Sequence, residues 1–197
     1  MITILAVDQS MTSSGVVVLE HMPHGSGGSG VSEVVHHEVI RTSKVNDDFV
    51  LDTFERATLI GRRLNQIAEE QLPDYIVFET PSLASKGNAT RTLPMLLGSL
   101  LAQMEGHISK EGVKLLTVPP TSLKKFATGK GNCDKEAMIQ AIEEHDAEMF
   151  DVVMSLPKSK GRGDLADAWH LAHYALWAEE MNDPEFAKRL YARETIS

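Results

Sequence analysis

Apolar residues fall along this chain in two rhythms, one suited to strands and one to helices. ITILAVD (2–8) is a nearly unbroken apolar run, as expected of a buried first strand. GVVVLE (15–20) and EVVHHEVIR (33–41) are rich in β-branched residues and predict two further strands. From about 47 to 70 the period changes. Val50, Phe54, Ala57, Leu64, Ile67 and Ala68 fit one stripe of an amphipathic helix, with Asn46 and Asp47 as candidate caps and Pro73 just beyond its end. YIVFE (75–79) predicts a short buried strand. A second helix is expected over about 91–109, with Leu93, Leu96, Leu97, Leu100, Leu101, Met104 and Ile108 as its apolar surface. Gly98, Ala102 and Gly106 recur every fourth residue, a small-residue line that would let another element approach closely. KLLTV (114–118) predicts another strand, ended by Pro119 and Pro120. Helices are expected near 133–146 and from about 163 to 181, with a short terminal helix over 185–194.

Three leading strands suggest a meander, and the later alternation of helix and strand suggests parallel pairing. The expected class is therefore α/β, a mixed five-stranded sheet flanked by helices. The 197 residues suit a single domain over 1–197, with a flexible glycine- and serine-rich hairpin loop at 22–30 and a short extension after 183. No apolar run is long enough to span a bilayer, so no membrane role is expected. The single cysteine, Cys133, excludes an internal disulfide and a cysteine-rich zinc site. Together these features favour a cytoplasmic protein.

A formal net charge of −9 argues against a protein that coats DNA. The distribution changes that picture. Residues 84–135 carry Lys86, Arg91, Lys110, Lys114, Lys124, Lys125, Lys130 and Lys135 against only Glu105, Glu111 and Asp134. A local basic patch of this kind can bind phosphate despite an acidic total.

Four carboxylates stand at chemically suggestive places. Asp8 and Glu79 each end an apolar strand, where open α/β sheets bind their ligands. Asp164 and Asp167 are three apart and share one side of the last long helix, among Leu165, Ala166, Ala168 and Trp169. Converging carboxylates repel one another unless a cation lies between them. Oxygen ligands of this kind suit Mg²⁺, with Mn²⁺ able to substitute. Each acid also has an ordinary reading, as a turn residue, a strand-end surface acid, or a helix cap with a dipole partner.

These segments resemble, in order, the motifs of RuvC-type Holliday-junction resolvases. ILAVDQSMTSSGVVVLE is similar to that family's opening strand, turn and second strand. DYIVFETPSLASKGNATRTLPMLLGSLLAQ resembles its second motif, PPTSLKKFATGKGNCDKEAM its lysine-bearing segment, and DLADAWHLAHYA its terminal motif. The resemblance spans about 2–180 and implies an RNase H-like fold. It also implies a two-metal endonuclease acting on branched DNA, leaving a 5′-phosphate and a 3′-hydroxyl, with Asp8, Glu79, Asp164 and Asp167 as metal ligands. Lys124 and Lys135 match lysines used in junction handling. Ser82, Lys86, Arg91, Lys125 and Lys130 complete the expected DNA-binding set. Around Ser82 and Leu83, where the family inserts an aromatic wedge, this chain has no aromatic residue. The family also implies a homodimer, with the 91–109 helix as its expected contact, and the cytoplasm of a bacterial or phage-infected cell.

Other functions compete with this one. An RNase H-like nuclease acting on RNA would use the same metal chemistry. An actin-like ATPase or sugar kinase shares the strand-end Asp and glycine turn but needs a longer chain. A catalytically idle DNA-binding module would have no need of four acids. Among the remaining residues, His170 lies one turn from Asp167 and could approach the metal, though packing is its ordinary role. His36 and His37 face opposite sides of a strand. GKGN (129–132) lacks the full phosphate-loop pattern.

Overall fold

The computed structural model describes residues 1–23, 30–81, 89–181 and 190–192. Five strands appear where the sequence predicts them: β1 (Ile2–Asp8), β2 (Ser13–Met22), β3 (Val31–Arg41), β4 (Tyr75–Glu79) and β5 (Lys114–Val118). They form a mixed sheet in the order β3-β2-β1-β4-β5, antiparallel between β3, β2 and β1 and parallel from β1 through β4 to β5. A three-residue strand β6 (Leu190–Ala192) adds antiparallel to β5. This corrects the expected terminal helix over 185–194: its residues 190–192 are strand, because the free edge of β5 offers them backbone partners. The rest of that helix, most of the 22–30 loop, and Ser82, Leu83 and Lys86 lie outside the described residues.

Helices cover both faces. Strand alternation sends Leu5, Val7, Val16, Val18, Ile76 and Phe78 into one core, against α1 (Phe49–Gln71) and α2 (Ala89–Gln103). The intervening residues, Ile4, Ala6, Val17, Leu19, Tyr75 and Val77, enter the other. There they meet α4 (Pro120–Thr128), α5 (Lys135–Glu143), α6 (Ala147–Ser155) and α7 (Arg162–Glu180). A sheet buried on both faces explains why β1 and β4 read as continuous apolar runs.

The expected 91–109 helix is α2 followed by a separate short turn, α3 (Glu105–Ile108). Leu96, Leu100 and Met104 are fully buried in this chain, while Leu93, Leu97 and Leu101 are only half-buried. Gly98 and Gly106 have no neighbouring atoms where a side chain would sit, so among the described residues nothing approaches that small-residue line. In α1 the expected stripe holds at Ala57, Leu64, Ile67 and Ala68 and departs from expectation in the first turns. Thr53, Arg56, Ala57, Ile60, Leu64, Ile67 and Ala68 face inward, whereas Val50 and Phe54 are exposed. The cause is polar: Arg56 turns in to donate to Thr42 Oγ1 at 2.9 Å and to the Met11 carbonyl at 2.7 Å, and it pairs with Asp52 at 3.0 Å.

Candidate active site

Asp8 is the last residue of β1 and Glu79 the last of β4, its parallel neighbour. Each shares the parity of the residues that face α7: Ile4 and Ala6 in one strand, Tyr75 and Val77 in the other. Both carboxylates therefore leave the sheet toward that helix. Asp167, in its second turn, completes the group. One carboxylate oxygen each from Asp8, Glu79 and Asp167 lie within 4.8 Å of one another.

Small residues let α7 come this close. Gly15, paired with Asp8 across the hairpin, lies directly under Asp164, whose backbone occupies the space a side chain would need. The helix starts at Gly161, which takes φ 93° and packs on Val39. Asp164 is thus in the first turn rather than at the cap, and it stands beside the trio. Its carboxylate accepts a hydrogen bond from Ser13 Oγ and an ion pair from Lys135 Nζ at 3.3 Å.

The turn joining β1 to β2 is braced on several sides. Ser14 Oγ donates to the Ser10 carbonyl at 2.8 Å, and the Met11 carbonyl receives both Thr42 Oγ1 and the Arg56 guanidinium. Gln9, 5% exposed, donates from Nε2 to the Glu79 carbonyl at 2.6 Å. Sequence reasoning misses Ser13 and Gln9, because only long-range contacts of the folded chain bring them to Asp164 and Glu79.

The electrostatics match the crowding. Burial, then Asp167, Glu79 and Asp164, raise the Asp8 carboxyl well above its ordinary range, against the pull of Lys135. Burial and Asp167 push Glu79 up to about 7, with Lys135 and Lys124 opposing. Burial likewise lifts Asp167 to about 6, against the same two lysines. Burial works against the charge on Lys135, yet Asp164, Asp167 and Asp8 raise its pKa overall. An all-oxygen set whose members resist ionising together fits a hard divalent cation, which would relieve the repulsion.

The basic residues divide into two groups. Lys124 on α4 and Lys135 at the start of α5 act on the acids, while Arg91, Lys125 and Lys130 are exposed. Lys114 is engaged elsewhere, with Glu179 at 3.1 Å. His170 does not join the acids. It is buried, donates from Nε2 to the Met138 carbonyl at 2.7 Å, and is pushed down to about 4 by that burial. Among the described residues no helix is long and apolar enough to cross a membrane.

The sheet order, the helix laid across it and the acids at adjacent strand ends define an RNase H-like α/β protein with a carboxylate centre. Comparison with known proteins narrows the class. No protein-family model matches the chain. It is 26% identical over 174 residues to the crossover junction endodeoxyribonuclease RuvC of Salinispora arenicola, covering 88% of this chain and 87% of that one. Its fold matches that of Thermus thermophilus RuvC with a TM-score of 0.67 at 19% identity, over 92% of this chain and 97% of the other. The yeast mitochondrial Holliday junction resolvase matches with a TM-score of 0.59 at 14% identity, over 90% and 83%. In sequence and in fold the chain is thus similar to RuvC-type Holliday-junction resolvases.

Proposed function

We propose that this chain is a metal-dependent, structure-selective endodeoxyribonuclease that resolves Holliday junctions or related branched DNA, leaving a 5′-phosphate and a 3′-hydroxyl. The observation that carries this reading is the convergence of Asp8, Glu79 and Asp167 within 4.8 Å, beside basic residues. These three acids, with Asp164 alongside, would hold Mg²⁺, or Mn²⁺ in its place. When bound, such ions activate water and neutralise charge at a phosphodiester.

The protein's own part is placement. The strand ends fix two carboxylates, and α7 brings the third. Lys135 pairs with Asp164 at 3.3 Å and holds its side chain turned toward α5. Lys124 and Lys135 lie where a scissile phosphate would need its charge offset, with Arg91, Lys125 and Lys130 extending the DNA track. Ser82 and Lys86 belong to the same proposed set. The DNA is branched because the relatives act on or bind Holliday junctions, as in the Thermus thermophilus RuvC complex with its substrate and the fowlpox resolvase complex. The unit is one domain, working in the cytoplasm of a bacterial or phage-infected host cell.

A homodimer follows from the substrate. A four-way junction is close to two-fold symmetric, and a two-fold pair of sites matches it. The helix α2 remains the proposed contact: Leu93, Leu97 and Leu101 are half-buried and Met95 is exposed, leaving apolar surface beyond what the monomer uses. Light scattering at micromolar concentration would reveal the pair, and a clean monomer would remove it. The decisive assay offers junction, duplex, flap and RNA–DNA hybrid side by side with Mg²⁺. Preferential cutting of the junction is expected. Equal or better cutting of the hybrid would overturn the reading in favour of an RNA-processing nuclease.

A further inference from the structure

The ladder between β1 and β4 stops one rung short of the acids. Its last paired residues are Val7 and Phe78, so beyond them no β1 backbone pairing continues to Glu79. The Gln9 side chain fills that gap. Its amide nitrogen reaches the Glu79 carbonyl at 2.6 Å, a side-chain rung where the backbone rung is missing. On the far side of β4, Thr80 N donates to the Val118 carbonyl at 2.8 Å, so the end of β4 is tied to both neighbouring strands.

Packing does not explain this residue. Gln9 is 5% exposed, and its Oε1 is buried with no hydrogen-bond partner. A buried amide oxygen without a donor is costly, and an apolar side chain of the same length would fill the space without that cost. Because the acceptor at Glu79 is a carbonyl, only the amide nitrogen can face it, which fixes the orientation of the group.

We propose that Gln9 is a positioning residue that sets the separation of Asp8 and Glu79. Asp8 and Glu79 carry like charge at the ends of adjacent strands, and their repulsion acts to splay those ends. Gln9 follows Asp8 directly in the chain, so its bond to Glu79 closes a short loop of structure around the two acids. The clamp is neutral and adds no charge of its own. It therefore holds the carboxylates at a spacing suited to a shared cation without competing for that cation. This inference rests on the proposed metal centre and deepens it.

The test is Mn²⁺ binding to the full chain without DNA, followed by the free-ion paramagnetic resonance signal, for wild type, Gln9→Met and Gln9→Glu. Gln9→Met keeps the length and loses the donor. It is expected to weaken Mn²⁺ binding by about ten- to a hundredfold, the usual range for a group that orients a metal ligand. Gln9→Glu, whose carboxylate would repel the Glu79 carbonyl, is expected to weaken it at least as much. On junction DNA, kcat should fall while KM stays near the wild-type value. If Gln9→Met does not fold, Gln9→Asn keeps the amide but falls a methylene short, and the same loss is expected. Unchanged Mn²⁺ affinity with only a lowered melting temperature would overturn the positioning role and leave the metal centre standing. Failure of the wild type to bind Mn²⁺ would overturn the metal centre, and this inference with it.

Discussion

Gly15 and Asp164 touch through their backbones: a side chain at Gly15 would run into the Asp164 carbonyl and come within 2.7 Å of Leu165 N. That contact seats the first turn of α7 on β2. Gly15→Ala should therefore destabilise the protein by about 3 kcal/mol, the upper range for overpacking, because the clash is with backbone and only a shift of α7 relieves it. It should also lift Asp167 away from Asp8. Urea melts would measure the first effect. A near-wild-type midpoint would show that α7 can shift without penalty.

Removing one carboxylate tests the site directly. Asp8→Asn and Asp167→Asn should each lower cleavage by at least about a hundredfold, since losing a ligand should cost no less than losing a group that orients one. DNA binding should persist, because each change also removes negative charge facing phosphate. Parallel gel-shift and cleavage assays would decide. Near-normal cleavage by either variant would exclude that acid from the centre.

The raised carboxyls make the metal-free protein sensitive to pH. Glu79 moves from an ordinary value of 4.5 to about 7 in the folded chain, and Asp167 from 3.8 to about 6. The folded state then holds more protons than the unfolded state between those limits, so stability falls as pH rises through the window. The melting temperature without metal should fall steadily as pH rises across it. Added Mg²⁺ should restore stability most at the upper end, with release of protons. A melting temperature that climbs with pH in the absence of metal would contradict the crowding.

Lys124→Ala and Lys135→Ala should weaken junction binding and flatten its salt dependence by about one unit of log–log slope per lost phosphate contact. Lys135→Ala should also reduce cleavage, since it frees Asp164 from its 3.3 Å partner. An unchanged slope in both variants would move the DNA track elsewhere.

Much of this was legible in the sequence because strands have a period of two. Once β1 and β4 were recognised, parity alone put Asp8 and Glu79 on one face. The spacing of Asp164 and Asp167 put both on one side of α7, but not in one role. Asp167 joins the trio, while Asp164 is held apart by Ser13 and Lys135. That division depends on contacts 151 and 29 residues away, which no local pattern records. The short helices α4 and α6 were missed, although Pro120 opens the first and Asp146 caps the second by accepting from Met149 N. The first turns of α1 depart from the apolar stripe because Thr53 and Arg56 face inward there, and Arg56 has three partners to reach.

The three converging acids come from residues 8, 79 and 167. During synthesis the first two strands to carry them emerge well before the helix that carries the third. The nascent chain can build most of its sheet while holding only two of those acids. The three-acid group is therefore complete only once α7 has been made and laid against the ends of β1 and β4.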